Sequence, residues 1–222
     1  MIRAVYFDLD NTLFDRAAAY RRYASGLVAR RIAAEQRPVV LEKLMQSDDE
    51  HQHRDFMEYA RYMMQNVPEL SLSAEEYCAE YVPGLLDAVE PTPHIREFLL
   101  SIARRFKLGL ITNGGSERQR EKLRRMDIAS CFAPEAIVIS GEVGAHKPAA
   151  AIFQRAIAVS GCAPAEMLFC GDDPVRDIGG ATALGIQTCW IFGLRASRAF
   201  PKDVPAPHFQ LERVEDVEQV LA

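Results

Sequence analysis

Val5-Tyr6-Phe7-Asp8-Leu9-Asp10-Asn11-Thr12-Leu13-Phe14-Asp15 is the stretch on which the fold of this chain turns. Its apolar start does not alternate with polar residues, so it reads as a strand covered on both faces. The strand runs directly into two aspartates, two residues apart. Four similar runs follow at Leu108-Gly109-Leu110-Ile111, Ala136-Ile137-Val138-Ile139, Met167-Leu168-Phe169-Cys170 and Thr188-Cys189-Trp190-Ile191. Helical patterns separate them. One starts at Pro93, with Thr92 as the N-cap candidate and Phe98, Leu99, Ile102 and Ala103 at helical spacing. Others span Glu117 to Met126, Ala149 to Val159, and Arg176 to Leu184, closed by Gly185. Strands alternating with helices predict an α/β fold on a parallel sheet.

The first and second strands are far apart in sequence, and no strand pattern lies between them. Ala17, Tyr20, Ala24, Leu27 and Val28 form one helical stripe, and Phe56, Ala60, Met63 and Met64 another. Ser73-Ala74-Glu75-Glu76 is a capping box that opens a further helix before Pro83-Gly84. A helical stretch of this length cannot be one crossover. The expected organisation is an α/β core of residues 1–13 and 92–222 with a helical domain, 14–91, inserted after strand one. Pro91-Thr92-Pro93 returns the chain to the sheet as a stiff joint.

Composition narrows the function classes. Of 222 residues, 49% are hydrophobic, enough for one good core with a small appended unit. Lysine and arginine number 26 against 31 acids, leaving a net charge of −5. That balance argues against a nucleic-acid polymer or an anionic membrane as partner. Charges interrupt every apolar run well before a bilayer could be crossed, and Asp8, Asp10 and Asp15 arrive too early for a signal peptide. The five cysteines never fall as Cys-x-x-Cys, and Cys170 and Cys189 sit in buried strands. A disulfide framework and a zinc ribbon are not expected, and a cytoplasmic location is.

The ends of the strands carry the chemistry. Open parallel sheets bind ligands beyond the carboxyl ends of their strands. There the sequence puts Asp8 and Asp10, then Thr112-Asn113-Gly114-Gly115 at a helix start, Lys147-Pro148 before another helix, and Gly171-Asp172-Asp173 with Asp177 after strand four. Each is ordinary alone: a capped turn, a solvated lysine, an acidic loop. Together they bring acids, a hydroxyl, backbone N–H groups and one lysine to a single edge. Oxygen ligands suit a hard cation, and the donors suit a phosphoryl group.

At these residues the chain resembles the haloacid dehalogenase-like hydrolase superfamily, in particular its phosphatases with a helical cap inserted after the first motif. Asp8-Leu9-Asp10-Asn11-Thr12 resembles the family's first motif, Thr112-Asn113-Gly114 its second, Lys147-Pro148 its third, and Gly171-Asp172-Asp173 with Asp177 its fourth. The resemblance implies a doubly wound, Rossmann-like core with a cap. It implies a phosphatase acting on a small phosphorylated metabolite of the nucleotide, sugar phosphate or phosphoglycolate class. Asp8 would be the nucleophile that becomes an aspartyl phosphate, and Asp10 the general acid and then base. Thr112 and the Asn113 backbone would hold the phosphoryl oxygens, and Lys147 would neutralise charge beside Asp8. Mg²⁺ would be held by Asp8, Asp172 and the Asp10 carbonyl, with Asp177 orienting a metal water or Lys147. Asp173 stands where a serine is frequent and is left out of the ligands. Alternatives within the superfamily are a 2-haloacid dehalogenase, for which Asp10 has no use, and a phosphomutase. A non-catalytic phospho-signalling module is the alternative from another class, and it would lack the long insertion.

Other features read as structural. His51 and His53, two apart, would face different sides of a helix and not share a zinc ion. Met57, Met63 and Met64 fit the core of the inserted domain, and Arg21, Arg22, Arg30 and Arg31 a solvated helix face. Arg16 and Tyr20 open the inserted domain just after the first motif and are candidates to touch the substrate. No glycine-rich dinucleotide or ATP-binding motif occurs. Monomer and homodimer remain equally open.

Overall fold

A computed structural model describes residues 1–51, 55–194 and 199–221; His53 lies outside them. The chain divides into two compact units, Met1–Asp15 with Pro91–Ala222, and Arg16–Glu90. The first is built on six parallel strands: β1 (Ala4–Phe7), β2 (Lys107–Thr112), β3 (Ile137–Ile139), β4 (Met167–Gly171), β5 (Gln187–Ile191) and β6 (Phe209–Leu211). Their order is β3-β2-β1-β4-β5-β6. The direction of winding therefore reverses at β1, which places the ligand crevice of this doubly wound α/β fold at the end of β1. In register, Phe7 lies between Leu110 of β2 and Cys170 of β4. The residues that follow, Asp8, Ile111-Thr112 and Gly171-Asp172, consequently emerge side by side.

Burial explains the apolar runs. All four residues of β1 and all five of β4 are buried. Tyr6, Ile111, Val138, Phe153, Met167 and Phe169 share one core cluster, with the rings of Phe153 and Phe169 edge to face. Each such side chain contributes roughly 1.5–3 kcal/mol of burial. Three helices over the sheet lie within one residue of their expected positions, at Pro93–Ala103, Ser116–Arg125 and Ala150–Ser160. The sixth strand was not expected. It is three residues long with exposed Gln210 between half-buried neighbours, so it carries only an edge strand's weak pattern. Thr92 also departs from expectation: its side chain caps nothing, and its hydroxyl instead donates to the carbonyl of Met126. The stretch expected as a helix from Arg176 is a wide, π-type turn over Pro174–Gly179 followed by one short helical turn.

The second unit is helical: α1 (Arg16–Arg31), α2 (Arg37–His51), α3 (Phe56–Asn66) and α4 (Ala74–Asp87). The Ser73 capping box forms, with Glu76 N–H donating to Ser73 Oγ at 3.1 Å and Ser73 N–H to Glu76 Oε2 at 2.7 Å. The helix then runs through Pro83 instead of stopping before it. At the next residue, Gly84, the Tyr23 ring packs where a Cβ would stand. Tyr20, Tyr23, Tyr59, Tyr77 and Tyr81 are buried together, with ring centroids 5.7–6.2 Å apart. Among the described residues no helix is long and apolar enough to cross a membrane.

Candidate active site

After β1 the chain turns sharply. Asn11 takes a left-handed conformation at φ 60°, which asparagine tolerates, and Asn11 N–H donates to the Phe14 carbonyl at 2.7 Å. The turn leaves Asp8 and Asp10 at its mouth with separate partners. Asp8 is 7% exposed, and its Oδ1 accepts from Lys147 Nζ at 2.6 Å. The same ammonium lies 2.7 Å from Asp177 Oδ1. Carboxylate oxygens of Asp8, Asp172 and Asp177 all lie within 4.8 Å of one another.

Three carboxylates thus cluster in a buried place, and one ammonium pairs with two of them, Asp8 and Asp177. Burial pushes the Asp8 carboxyl up to about 7; Lys147 opposes the shift and the charge of Asp177 reinforces it. Burial works against the Lys147 ammonium, but the charges of Asp177 and Asp8 hold its pKa above the ordinary lysine value. The donor set suits a hard divalent cation, since oxygen ligands and uncompensated negative charge are what such an ion requires.

The surrounding loops are locked from behind. Asp177 rests so closely on Gly171 that a Cβ there would collide with its carboxylate. Asp177 Oδ2 also accepts from the Asp173 N–H at 3.0 Å. Asp173 uses its own carboxylate as a cap, accepting from Val175 and Arg176 N–H at 2.9 and 2.8 Å. The carbonyl of Asp172 accepts from the indole N–H of Trp190 at 2.8 Å. On the other side, Asn113 is committed to the lysine loop: its Oδ1 accepts from Lys147 N–H at 2.8 Å and its Nδ2 donates to the Lys147 carbonyl at 3.1 Å. Gly114 N–H donates to Ser140 Oγ at 2.9 Å.

Thr112 and Asp10 meet a residue that the sequence reading passed over. The helix Ser116–Arg125 carries Gln119, whose Nε2 donates to Thr112 Oγ1 at 2.6 Å and to Asp10 Oδ2 at 3.0 Å. Lys122, one turn on, donates to Asp10 Oδ1 at 2.5 Å. Gln119, Lys122, Leu123 and Met126 are all buried. Their i, i+3, i+4, i+7 spacing is helical, but Gln119 and Lys122 sit among seven consecutive polar residues from Ser116 to Lys122, which masks the buried stripe.

The sequence-predicted residues thus fall into two groups. Asp8, Asp10, Thr112, Asn113, Lys147, Asp172 and Asp177 belong to the α/β unit. Hydrogen bonds, directly or through Gln119, link the first five and Asp177, and the Asp172 carboxylate lies near those of Asp8 and Asp177. Arg16 and Tyr20 belong to the helical unit and are occupied there. Arg16 Nη1 and Nη2 donate to the two carboxylate oxygens of Asp48 at 2.6 and 2.7 Å, and Nη2 also reaches Tyr81 Oη at 2.9 Å. Tyr20 is fully buried with its hydroxyl 3.1 Å from that of Tyr77.

A doubly wound α/β core with an acidic cluster and a buried lysine at its switch point defines the class of hydrolytic folds to which this chain compares. The model of the haloacid dehalogenase-like hydrolase family matches residues 5–191, and the chain belongs to that family. It is 29% identical to a glyceraldehyde 3-phosphate phosphatase of Methanopyrus kandleri, over 100% of this chain and 97% of the relative. It is 27% identical to the N-acylneuraminate-9-phosphatase of Homo sapiens, over 99% and 94%. Among solved structures, the HAD-hydrolase YfnB of Bacillus subtilis superposes with a TM-score of 0.81 at 19% identity, covering 99% of this chain and 98% of that one. The chain is therefore an enzyme of a hydrolase family, and its named relatives are phosphoric monoester hydrolases.

Proposed function

We propose that this protein is a Mg²⁺-dependent phosphatase that hydrolyses a small phosphate monoester through an aspartyl phosphate on Asp8. The observation that carries the reading is the meeting of the Asp8, Asp172 and Asp177 carboxylates, with Lys147 paired to Asp8 and Asp177. The names of the relatives support a small phosphorylated metabolite as substrate. Five free cysteines, three of them buried, support a reducing, cytoplasmic setting.

Asp8 attacks phosphorus as the ester P–O bond breaks, and Asp10 gives its proton to the leaving oxygen. Water then attacks the phosphoryl group, Asp10 takes up its proton, and the bond to Asp8 breaks to release inorganic phosphate. Gln119 fills an acceptor position of the Thr112 hydroxyl, which leaves the O–H to donate to a phosphoryl oxygen alongside the Asn113 N–H. Lys147 offsets charge as it builds between Asp8 and the phosphoryl group. Asp8, Asp172 and the Asp10 carbonyl would hold Mg²⁺, with Asp177 behind them. When bound, the ion supplies charge neutralisation and alignment of the nucleophile. Residues 14–91 act as the cap that excludes water and selects the substrate. A dehalogenase would release halide and leave Asp10 without a task.

The test is phosphate release from para-nitrophenyl phosphate and from a panel of phosphorylated metabolites. Activity with Mg²⁺ that is lost in EDTA is the expected result, with Ca²⁺ a poor substitute. Full activity in chelator would remove the metal from the reading. No turnover of any phosphate monoester would remove the phosphatase.

A further inference from the structure

Asp10 is gripped on both oxygens by side chains of a single helix, Lys122 at 2.5 Å and Gln119 at 3.0 Å. The grip lies in the interior: Gln119 is 0% exposed and Lys122 4%. The lysine also lies over the ring of Phe14, 5.3 Å from its centroid, where the turn after Asp10 ends. Gln119 is used one-sidedly. Its nitrogen serves Asp10, Thr112 and the Asn113 carbonyl at 3.2 Å, while its own carbonyl oxygen is buried with no hydrogen-bond partner among the described residues. An unmet buried carbonyl is a net destabilisation, and an apolar side chain would avoid it. Backbone geometry makes room for the amide, since Gly114 at φ 150° leaves its Cα face to the Gln119 stem.

We propose that Lys122 and Gln119 are positioning residues that fix the Asp10 carboxyl for the proton transfers of both steps, and that Gln119 couples this setting to the Thr112 hydroxyl. The inference rests on the reading of Asp10 as acid and base. Lys122 and Gln119 act through Asp10 and Thr112 without touching the reacting atoms. Misplacing a reacting group by about 1 Å is enough to lose roughly 10²-fold in rate.

The two steps make different demands, and that separates positioning from mere support of the fold. With para-nitrophenyl phosphate the leaving group needs almost no proton, so transfer to Asp8 survives a misplaced Asp10, whereas attack by water does not. Lys122→Met is therefore expected to release one equivalent of nitrophenol in a burst and then turn over about 10²-fold more slowly than wild type. Acid-quenched enzyme should carry phosphate on Asp8. Lys122→Arg, which keeps the charge, should recover at least a tenth of the wild-type rate and lose the burst. Gln119→Ala gives the same readout should Lys122→Met fail to fold. A residue that only supported the fold would lower burst and steady state together. That outcome, or a wild-type steady rate in both variants, overturns the proposal. Wild-type protein with no phosphate monoester turnover would overturn the functional reading and this inference with it, and it is recognised before any variant is made.

Discussion

Each unit buries charge, and the two do so in opposite ways. In the helical unit one guanidinium meets one carboxylate with two parallel hydrogen bonds. Tyr59 completes the set by donating to Asp48 Oδ1 at 2.7 Å. Charge is balanced there, and the tyrosines around it are pushed to higher pKa by burial. In the α/β unit three carboxylates cluster while one ammonium pairs with two of them. A balanced buried pair needs nothing further and serves the fold. An unbalanced one must take up a proton or a cation, and it marks a place where charge is handled. Buried charge is therefore informative through its sum.

The largest expected effect comes from removing the proposed nucleophile. Asp8→Asn should cut turnover by at least about 10⁴-fold while circular dichroism shows a folded protein. Because the substitution also relieves like charge, its melting temperature should hold or rise. A variant with wild-type turnover would move the chemistry elsewhere. In the helical unit the same kind of change should act on stability. Asp48→Ala strands Arg16, and breaking a buried pair in this way costs about 3–5 kcal/mol, to be read in urea unfolding. If stability held and the ranking of substrates changed instead, Arg16 would belong to the substrate site.

Trp190 sharpens the comparison from behind the acidic cluster. Trp190→Phe removes the hydrogen bond to the Asp172 carbonyl, and partners of metal ligands typically control affinity by about 10–100-fold. Calorimetric titration with Mg²⁺ should show weakening in that range. Unchanged affinity would confine the indole to packing against Phe192 and Phe200.

A smaller effect concerns pH. The Asp8 carboxyl titrates near 7 in the folded, metal-free protein and near 3.9 in an unfolded chain. Between those values the folded state holds the extra proton, so this group's contribution to stability is complete below about pH 4 and is lost as pH rises through about 7. Mg²⁺ must displace that proton. Its stabilisation of the melting temperature should therefore grow from about pH 5.5 to about pH 8. A shift that shrinks over that range would contradict the assignment of Asp8 to the metal.

Much of this was written in the sequence, for physical reasons. Parallel strands buried on both faces must be continuously apolar, so β1, β2, β4 and β5 announced themselves, and the polar residues at their ends followed. What stayed hidden depends on partners distant in sequence. Gln119 and Lys122 are polar residues on a buried helical stripe, and only the position of Asp10 makes sense of them. Trp190 looked like any strand aromatic until its N–H met Asp172. Arg16 and Tyr20 are candidates through their closeness in sequence to the first motif, and the hydrogen bonds they make within the helical unit, to Asp48, Tyr81 and Tyr77 of later helices, are not legible in the sequence.

The most direct test of the chemistry is to stop the reaction in acid and weigh the protein. Asp10→Asn keeps the nucleophile and lacks the base, so after exposure to para-nitrophenyl phosphate and Mg²⁺ it should carry one phosphoryl group on Asp8, removable by hydroxylamine. Asp8→Asn should carry none. Phosphate trapped by Asp8→Asn but not by Asp10→Asn would reverse the two roles, and turnover by wild type with no phosphoryl group on Asp8 in either sample would contradict the covalent route.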